Sequence, residues 1–270
     1  MIGAVIGDIV GSRLEKRNPK TKDFEFFSGL STYTDDSVMS LAICEALLKS
    51  ENDRSKLSEY AIESMRRFGK QYWLCGFGHM FKQWLKSPDP QPYGSYGNGS
   101  AMRVSGCAYA ANSLEEVIAL SRAVTEVTHN HPEGIKGAEA VAVSVYLART
   151  GASKEAIRKH VLDHYYSIDF TLDEIRPVYR KDLSCPGSVP QALQAFFEST
   201  DFEDAIRNAV SIGGDSDTIA AMTGSVAEAC YGVPVDLREK TLEFLDEELI
   251  DVLQAFESKY PPKILINKVR

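Results

Sequence analysis

Two short acidic stretches, far apart in the chain, constrain its fold more than any other feature. Residues 34–37 read Thr-Asp-Asp-Ser and come directly before an apolar run, and residues 215–218 read Asp-Ser-Asp-Thr and follow a glycine pair. Ser, Thr and Asp are preferred where helices begin, so each stretch predicts the first turn of a buried helix. If the fold brings both together, their carboxylates repel one another unless a cation lies among them.

The acidic stretches have two interpretations, ordinary helix caps or one shared metal site. A cap needs a single acceptor, whereas each stretch carries two carboxylates. Oxygen ligands alone suit Mg²⁺, Mn²⁺ or Ca²⁺ and disfavour zinc or copper. Four carboxylates exceed the charge of one divalent ion, so two ions that share a carboxylate are the natural solution. The candidate ligands are Thr34, Asp35, Asp36, Asp215, Asp217 and Thr218.

Composition narrows the class of protein. The chain of 270 residues carries 30 basic and 38 acidic side chains, a net charge of -8 that counts against broad nucleic-acid binding. Its five cysteines are odd in number and form no Cys-x-x-Cys motif, so we expect reduced thiols and neither disulfides nor a zinc site. The apolar beginning lacks the basic residues of a signal peptide, and no stretch is long enough to cross a membrane. We therefore expect a cytoplasmic protein with no membrane partner.

Helical spacing of apolar residues dominates the rest of the chain. No alternating strand pattern stands out except an ambiguous segment at 103–109, and we find neither a repeat nor a linker. These patterns predict an all-α fold, a compact bundle of many helices that forms one domain over 1–270. Glycines every fourth residue, at Gly3, Gly7 and Gly11, leave one face of a short first helix open to close approach by another helix. Segments 15–33 and 167–187 are predicted to be irregular.

Other polar features each have a structural and a functional interpretation. The glycine-rich residues 94–100 either present successive N–H groups to a phosphate or form a flexible surface loop. His129 and His131 either contact a ligand or are polar turn residues beside a proline. Asp8 is either a buried, hydrogen-bonded acid or a support for the metal site.

Four motifs, in this order, resemble the ADP-ribosylglycohydrolase family, the relatives of dinitrogenase reductase-activating glycohydrolase. They are Gly7-Asp8-x-x-Gly11-x-x-x-Glu15, residues 34–37, Tyr96-Gly97-Asn98-Gly99-Ser100-Ala101-Met102-Arg103, and Gly213-Gly214 with residues 215–218. The resemblance runs from about residue 3 to about residue 235. It implies an all-α enzyme with a binuclear Mg²⁺ or Mn²⁺ centre that hydrolyses ADP-ribose from a modified acceptor.

The resemblance also implies roles for individual residues. The candidate ligands named above match the family's metal ligands, and Glu15 matches a glutamate on a mobile loop. Glu15 or one of the aspartate ligands, Asp36 or Asp215, would deprotonate the attacking water. His129 lies where some members place a ligand-contacting residue. The residues that match the loop around the ADP-ribose phosphates and ribose are Gly94, Ser95, Tyr96, Gly97, Asn98 and Gly99.

Two other functions remain open at this point. One is a metal-dependent phosphohydrolase acting on a nucleotide, and the other is a non-catalytic ADP-ribose-binding member of the same fold. The latter would be expected to lack metal carboxylates, and all four are present. We expect the partner to be an ADP-ribosylated protein or a small ADP-ribosyl conjugate, bound by a monomer. The acceptor is open between arginine, serine, another side chain, a base and O-acetyl-ADP-ribose.

Overall fold

Helices make up nearly all the regular structure in the computed structural model, which describes residues 1–262 and the backbone of 264–265. Short 3-10 turns cover Arg54–Lys56 and Asn98–Ser100, and strand β1 (Val233–Pro234) pairs in parallel with β2 (Ile264–Leu265). The predicted all-α class is confirmed, and one domain over 1–270 stays a prediction. The helices are α1 (Ile2–Ser12), α2 (Asp35–Lys49), α3 (Leu57–Gln71), α4 (His79–Lys86), α5 (Ser105–Ala110), α6 (Leu114–Thr125), α7 (Pro132–Arg149), α8 (Lys154–His164), α9 (Leu172–Ile175), α10 (Cys185–Phe197), α11 (Phe202–Ser211), α12 (Ser216–Tyr231), α13 (Val235–Leu242) and α14 (Glu247–Lys259).

The three segments without a clear helical pattern differ in structure. Residues 15–33 contain no helix or strand, as predicted. In segment 103–109, residues 105–109 are helical in α5, because Gly106 lets this short helix rest on Cys44 and Leu47 of α2. Residues 167–187 are only partly irregular, since they contain α9 and the beginning of α10. In both places tertiary packing and local capping outweigh a weak periodic pattern.

Helix α12 lies at the centre of the structure. Its residues are buried from Ser216 to Ala229, and α1, α7, α10 and α11 pack around it. Helix α2 packs on α3 and α14 and also contacts α1. Within the described residues, no helix combines the length and apolar composition that a membrane span requires.

The glycine face of α1 is in backbone contact with α12. A methyl group built on Gly3 would lie 2.4 Å from the Gly224 carbonyl oxygen, and one on Gly7 would lie 2.0 Å from that of Ala220. At the other end, one on Gly11 would lie 2.5 Å from the Ser216 carbonyl oxygen. The two helices therefore run antiparallel, and the end of α1 lies beside the beginning of α12.

Replacing Gly7 with Ala tests this helix contact. Helix propensity alone would make the change favourable by about 1 kcal/mol. The added methyl group must instead force α1 away from α12, so we expect the free energy of unfolding to fall by about 1–3 kcal/mol. Urea denaturation of Gly7→Ala and of a matched Gly29→Ala variant measures this. A methyl group on Gly29 meets nothing within 4 Å. A Gly7→Ala protein as stable as the wild type would contradict the close contact.

Candidate active site

Both acidic helix starts lie in the wall of one cavity of about 510 Å³. The Thr218 hydroxyl at the beginning of α12 donates to Asp36 Oδ2 at the beginning of α2, at 3.1 Å. The six candidate metal ligands all line this cavity: Thr34, Asp35, Asp36, Asp215, Asp217 and Thr218. The structure thus brings together the two stretches that are remote in the sequence.

Asp8 of α1 holds the beginning of α2 in place. Its carboxylate accepts hydrogen bonds from the Thr34 N–H at 2.8 Å, the Thr34 hydroxyl at 2.7 Å and the Ser37 N–H at 3.0 Å. Asp8 is therefore a buried, hydrogen-bonded acid, which is one of its two interpretations from sequence. Its support of a metal site stays a prediction, although the same carboxylate lies beside Asp36 and Asp217.

The carboxylates form two groups that share one member. Oxygens of Asp8, Asp36 and Asp217 lie within 4.8 Å of one another, and so do oxygens of Glu15, Asp215 and Asp217. Asp36 Oδ1 is buried and has no hydrogen-bond partner among the described residues. Oxygen donors this close, one of them unsatisfied, fit hard divalent cations.

Asp35 belongs to neither of these groups within the described part of the chain. It lines the cavity beside Gly76, where a methyl group would lie 2.9 Å from Asp35 Oδ1. Its backbone N–H donates to the Cys75 carbonyl oxygen at 2.7 Å. Asp35 is thus a further acid in the cavity wall, outside the two groups.

Burial and mutual repulsion disfavour the ionised form of these acids. Burial, with the nearby Asp8 carboxylate, raises the pKa of Asp36 well above its usual range. Burial and the Asp215 carboxylate do the same to the pKa of Asp217. Burial, followed by the charge of Asp8, raises the pKa of Asp35 to about 7. A cation among them would favour the ionised forms and remove this cost.

Another part of the cavity wall comes from the glycine-rich loop. Asn98 Nδ2 donates to Asp215 Oδ2 at 2.7 Å, so this loop is bound directly to the second acidic helix start. Ser95, Gly97, Asn98 and Gly99 line the cavity, whereas Gly94 and Tyr96 are not among the lining residues. The Gly94 N–H binds Asn130 Oδ1 at 2.8 Å, and the Tyr96 ring packs on His131 outside.

His129 lies beneath this loop as a neutral imidazole. Its Nδ1 lies 2.8 Å from the Thr128 hydroxyl, which accepts from the buried Arg103 guanidinium at 2.6 Å. Burial, together with the Arg103 charge, lowers the pKa of His129 well below its usual value. Burial also lowers the pKa of Arg103, to about 10, so the guanidinium stays charged at neutral pH in the cavity wall.

Other lining residues escaped sequence reasoning. Apolar residues of this kind are Phe77, Phe81, Tyr93 and Leu183. The only sequence signal for them was Phe77 between two glycines just before α4. The Lys181 ammonium pairs with Glu15 and lies 3.0 Å from Asp215 Oδ1. Nothing in the irregular segment around it pointed to this position.

The raised pKa of Asp35 gives the metal-free protein a defined pH dependence. Its carboxyl group favours folding while protonated, an effect fully present below about pH 4 and lost as pH rises through about 7. We therefore expect the stability difference between the wild type and Asp35→Asn to fall across this window, by at most about 4 kcal/mol. Urea denaturation in EDTA at pH 4.5–8 measures it. A difference that is constant or grows with pH would contradict the shift.

Comparison with known proteins identifies the family. Residues 1–262 match the family model for ADP-ribosylglycohydrolase. The chain is 26% identical to the Homo sapiens ADP-ribosylhydrolase ARH3, over 86% of this chain and 84% of that protein. It is also 26% identical to the ADP-ribosylarginine hydrolase Tri1 of Pseudomonas putida (strain GB-1), over 93% and 76%.

A solved structure shares the fold. A chain of an ADP-ribosylglycohydrolase-related protein complex superposes with a TM-score of 0.67 at 23% identity, over 95% of both chains. The resemblance found in the motifs is thereby confirmed. The chain belongs to the ADP-ribosylglycohydrolase family and is a glycohydrolase enzyme.

Proposed function

We propose that this enzyme releases ADP-ribose from an ADP-ribosylated protein side chain or a related small conjugate. One observation carries the proposal: both acidic helix starts and the glycine-rich loop line the same cavity. Its volume of about 510 Å³ lies in the range of small-molecule binding clefts. The relatives named as ADP-ribosylhydrolases support the same activity.

We propose further that the acidic groups hold two divalent cations, Mg²⁺ or Mn²⁺. The all-oxygen donor set, the unsatisfied Asp36 Oδ1 and the shared carboxylate of Asp217 support this. Such cations stabilise developing negative charge and lower the pKa of water when they are bound. The residues that would hold them are Thr34, Asp35, Asp36, Asp215, Asp217 and Thr218, with Asp8 and Glu15 adjoining.

The glycine-rich loop and its surroundings would bind the ADP-ribosyl group. The N–H groups of Gly97 and Asn98 already donate, to Ser95 Oγ and the Leu183 carbonyl oxygen. A diphosphate would therefore bind to the loop near Gly99, with the Arg103 charge in the same wall. The neutral His129 ring offers a hydrogen bond without adding charge. Phe77, Phe81 and Tyr93 supply an apolar surface against which a base or ribose can pack, and they exclude water from that side.

Glu15 is the best candidate for the general base among the acids of the site. Asp36 and Asp215 are buried, and an oxygen of each accepts a hydrogen bond within the site, from Thr218 and Asn98. Glu15 accepts from the Lys181 ammonium, but that side chain is itself partly exposed. Glu15 lies at the edge of the cavity on an irregular segment and is 24% exposed, so water reaches it. In hydrolysis it would take a proton from the water that attacks the anomeric carbon. The acceptor leaves with the bonding electron pair and is then protonated.

A panel of substrates tests the reaction. The purified enzyme is incubated with ADP-ribosylated arginine, ADP-ribosylated serine, O-acetyl-ADP-ribose and a free nucleotide, each with Mg²⁺, Mn²⁺ or EDTA. We expect free ADP-ribose from at least one conjugate, and none in EDTA. Release of inorganic phosphate without ADP-ribose would favour the nucleotide phosphohydrolase. Tight binding of ADP-ribose with no turnover would favour a non-catalytic member.

Two carboxamide substitutions test the acidic groups. Asp36→Asn and Asp215→Asn each keep the shape of the side chain and remove a charge from the proposed cation site. We expect each to lower kcat/KM by at least about a thousandfold, because several kcal/mol of transition-state stabilisation is lost. Asp89→Asn, on an exposed loop, is the matched control. Circular dichroism verifies that the variants are folded, and full activity of either site variant would refute the assignment.

A further inference from the structure

Lys181 lies among the acids of one group and away from the other. Its ammonium pairs with Glu15 and lies 3.0 Å from Asp215 Oδ1, and these acids form a group with Asp217. For Asp8 and Asp36, in the other group, the described residues provide only hydroxyl and N–H donors and no ion pair. The two groups are therefore electrostatically unequal: one is balanced by a protein cation and the other is not.

The backbone before Lys181 is firmly anchored. Two residues earlier, the Tyr179 hydroxyl donates to the Gly187 carbonyl oxygen at 2.7 Å. The Tyr179 ring covers Gly214, where a methyl group would lie 2.5 Å from Cε1. Lys20, from the segment that carries Glu15, donates to the Tyr179 carbonyl oxygen at 2.7 Å. The fold thus delivers Lys181 to this position, and the ion pairs are not those of a freely moving surface lysine.

We propose that Lys181 competes with one of the two divalent cations for Glu15 and Asp215. The inference rests on the cation centre proposed above. A cation binding at Asp8, Asp36 and Asp217 meets no protein cation, whereas one binding at Glu15, Asp215 and Asp217 must displace an ammonium. Lys181 is 46% exposed, so its side chain has open solvent into which it can move. The first cation then binds tightly and the second binds more weakly.

Manganese titration tests the inequality directly. Mn²⁺ is added to the metal-free wild type and to Lys181→Met, Lys181→Arg and Lys86→Met, and binding is followed by calorimetry and by the electron spin resonance of free Mn²⁺. Lys86 is the matched control, since it is exposed and lies over the Trp73 ring. We expect Lys181→Met to tighten the weaker site by about tenfold, the scale of a water-screened ion pair. The affinity of the tighter site, and both affinities in Lys181→Arg and Lys86→Met, should stay within about twofold of the wild type, since the charge at the contact is unchanged.

Thermal unfolding supplies a readout that needs no turnover. Without metal, Lys181→Met leaves Glu15 and Asp215 without their cation, so we expect its Tm to fall by about 2–4 °C. Saturating Mn²⁺ should abolish this difference, because the metal replaces the lost charge.

Each result bears on the inference in a distinguishable way. Two Mn²⁺ sites with the same affinities in the wild type and Lys181→Met, and equal Tm values without metal, would overturn the role of Lys181 while leaving the cation centre intact. Failure of every variant to bind Mn²⁺ would overturn the cation centre itself and the inference with it.

Discussion

Backbone contact between α1 and α12 determines where the acidic helix starts lie. The glycines of α1 let it run along α12 until Gly11 meets Ser216, which sets the beginning of α12. One turn earlier on α1, Asp8 binds the N–H groups of Thr34 and Ser37 and sets the beginning of α2. A single buried helix therefore positions both stretches, and a side chain on its glycine face would separate them.

This arrangement places several acids in the buried centre of the molecule, where their ionisation costs free energy. Burial raises the pKa of Asp8, and burial with neighbouring charge raises that of Asp36. Ionised and unneutralised, such acids oppose folding. The largely apolar packing of α12 against its neighbouring helices stabilises the fold in spite of them. A bound divalent cation would relieve the repulsion among these acids. Because folding has already buried them, that relief would add to the free energy of cation binding.

The sequence predicted the features that depend on the chemistry of neighbouring residues. Capping residues identified both acidic starts, and glycines every fourth residue indicated a close helix contact. It did not identify α12 as the partner helix, because small residues such as Ala220 are common in any buried helix. Nor did it predict Lys181 or the outward position of Tyr96. Those depend on how irregular segments cross the cavity, and periodicity carries no information about such crossings.

Asp215 connects the parts of the site that the sequence leaves separate. One of its oxygens accepts from Asn98 of the glycine-rich loop, and the other faces the Lys181 ammonium. It is also the N-cap of α12, yet its side chain makes no capping hydrogen bond, so both oxygens serve the cavity. Because one carboxylate makes both contacts, a ligand that displaces Asn98 or Lys181 changes how strongly Asp215 binds the remaining one. If the loop binds a ligand and the acidic group binds a cation, as proposed, the two events would be linked, and by reciprocity each would alter the affinity for the other.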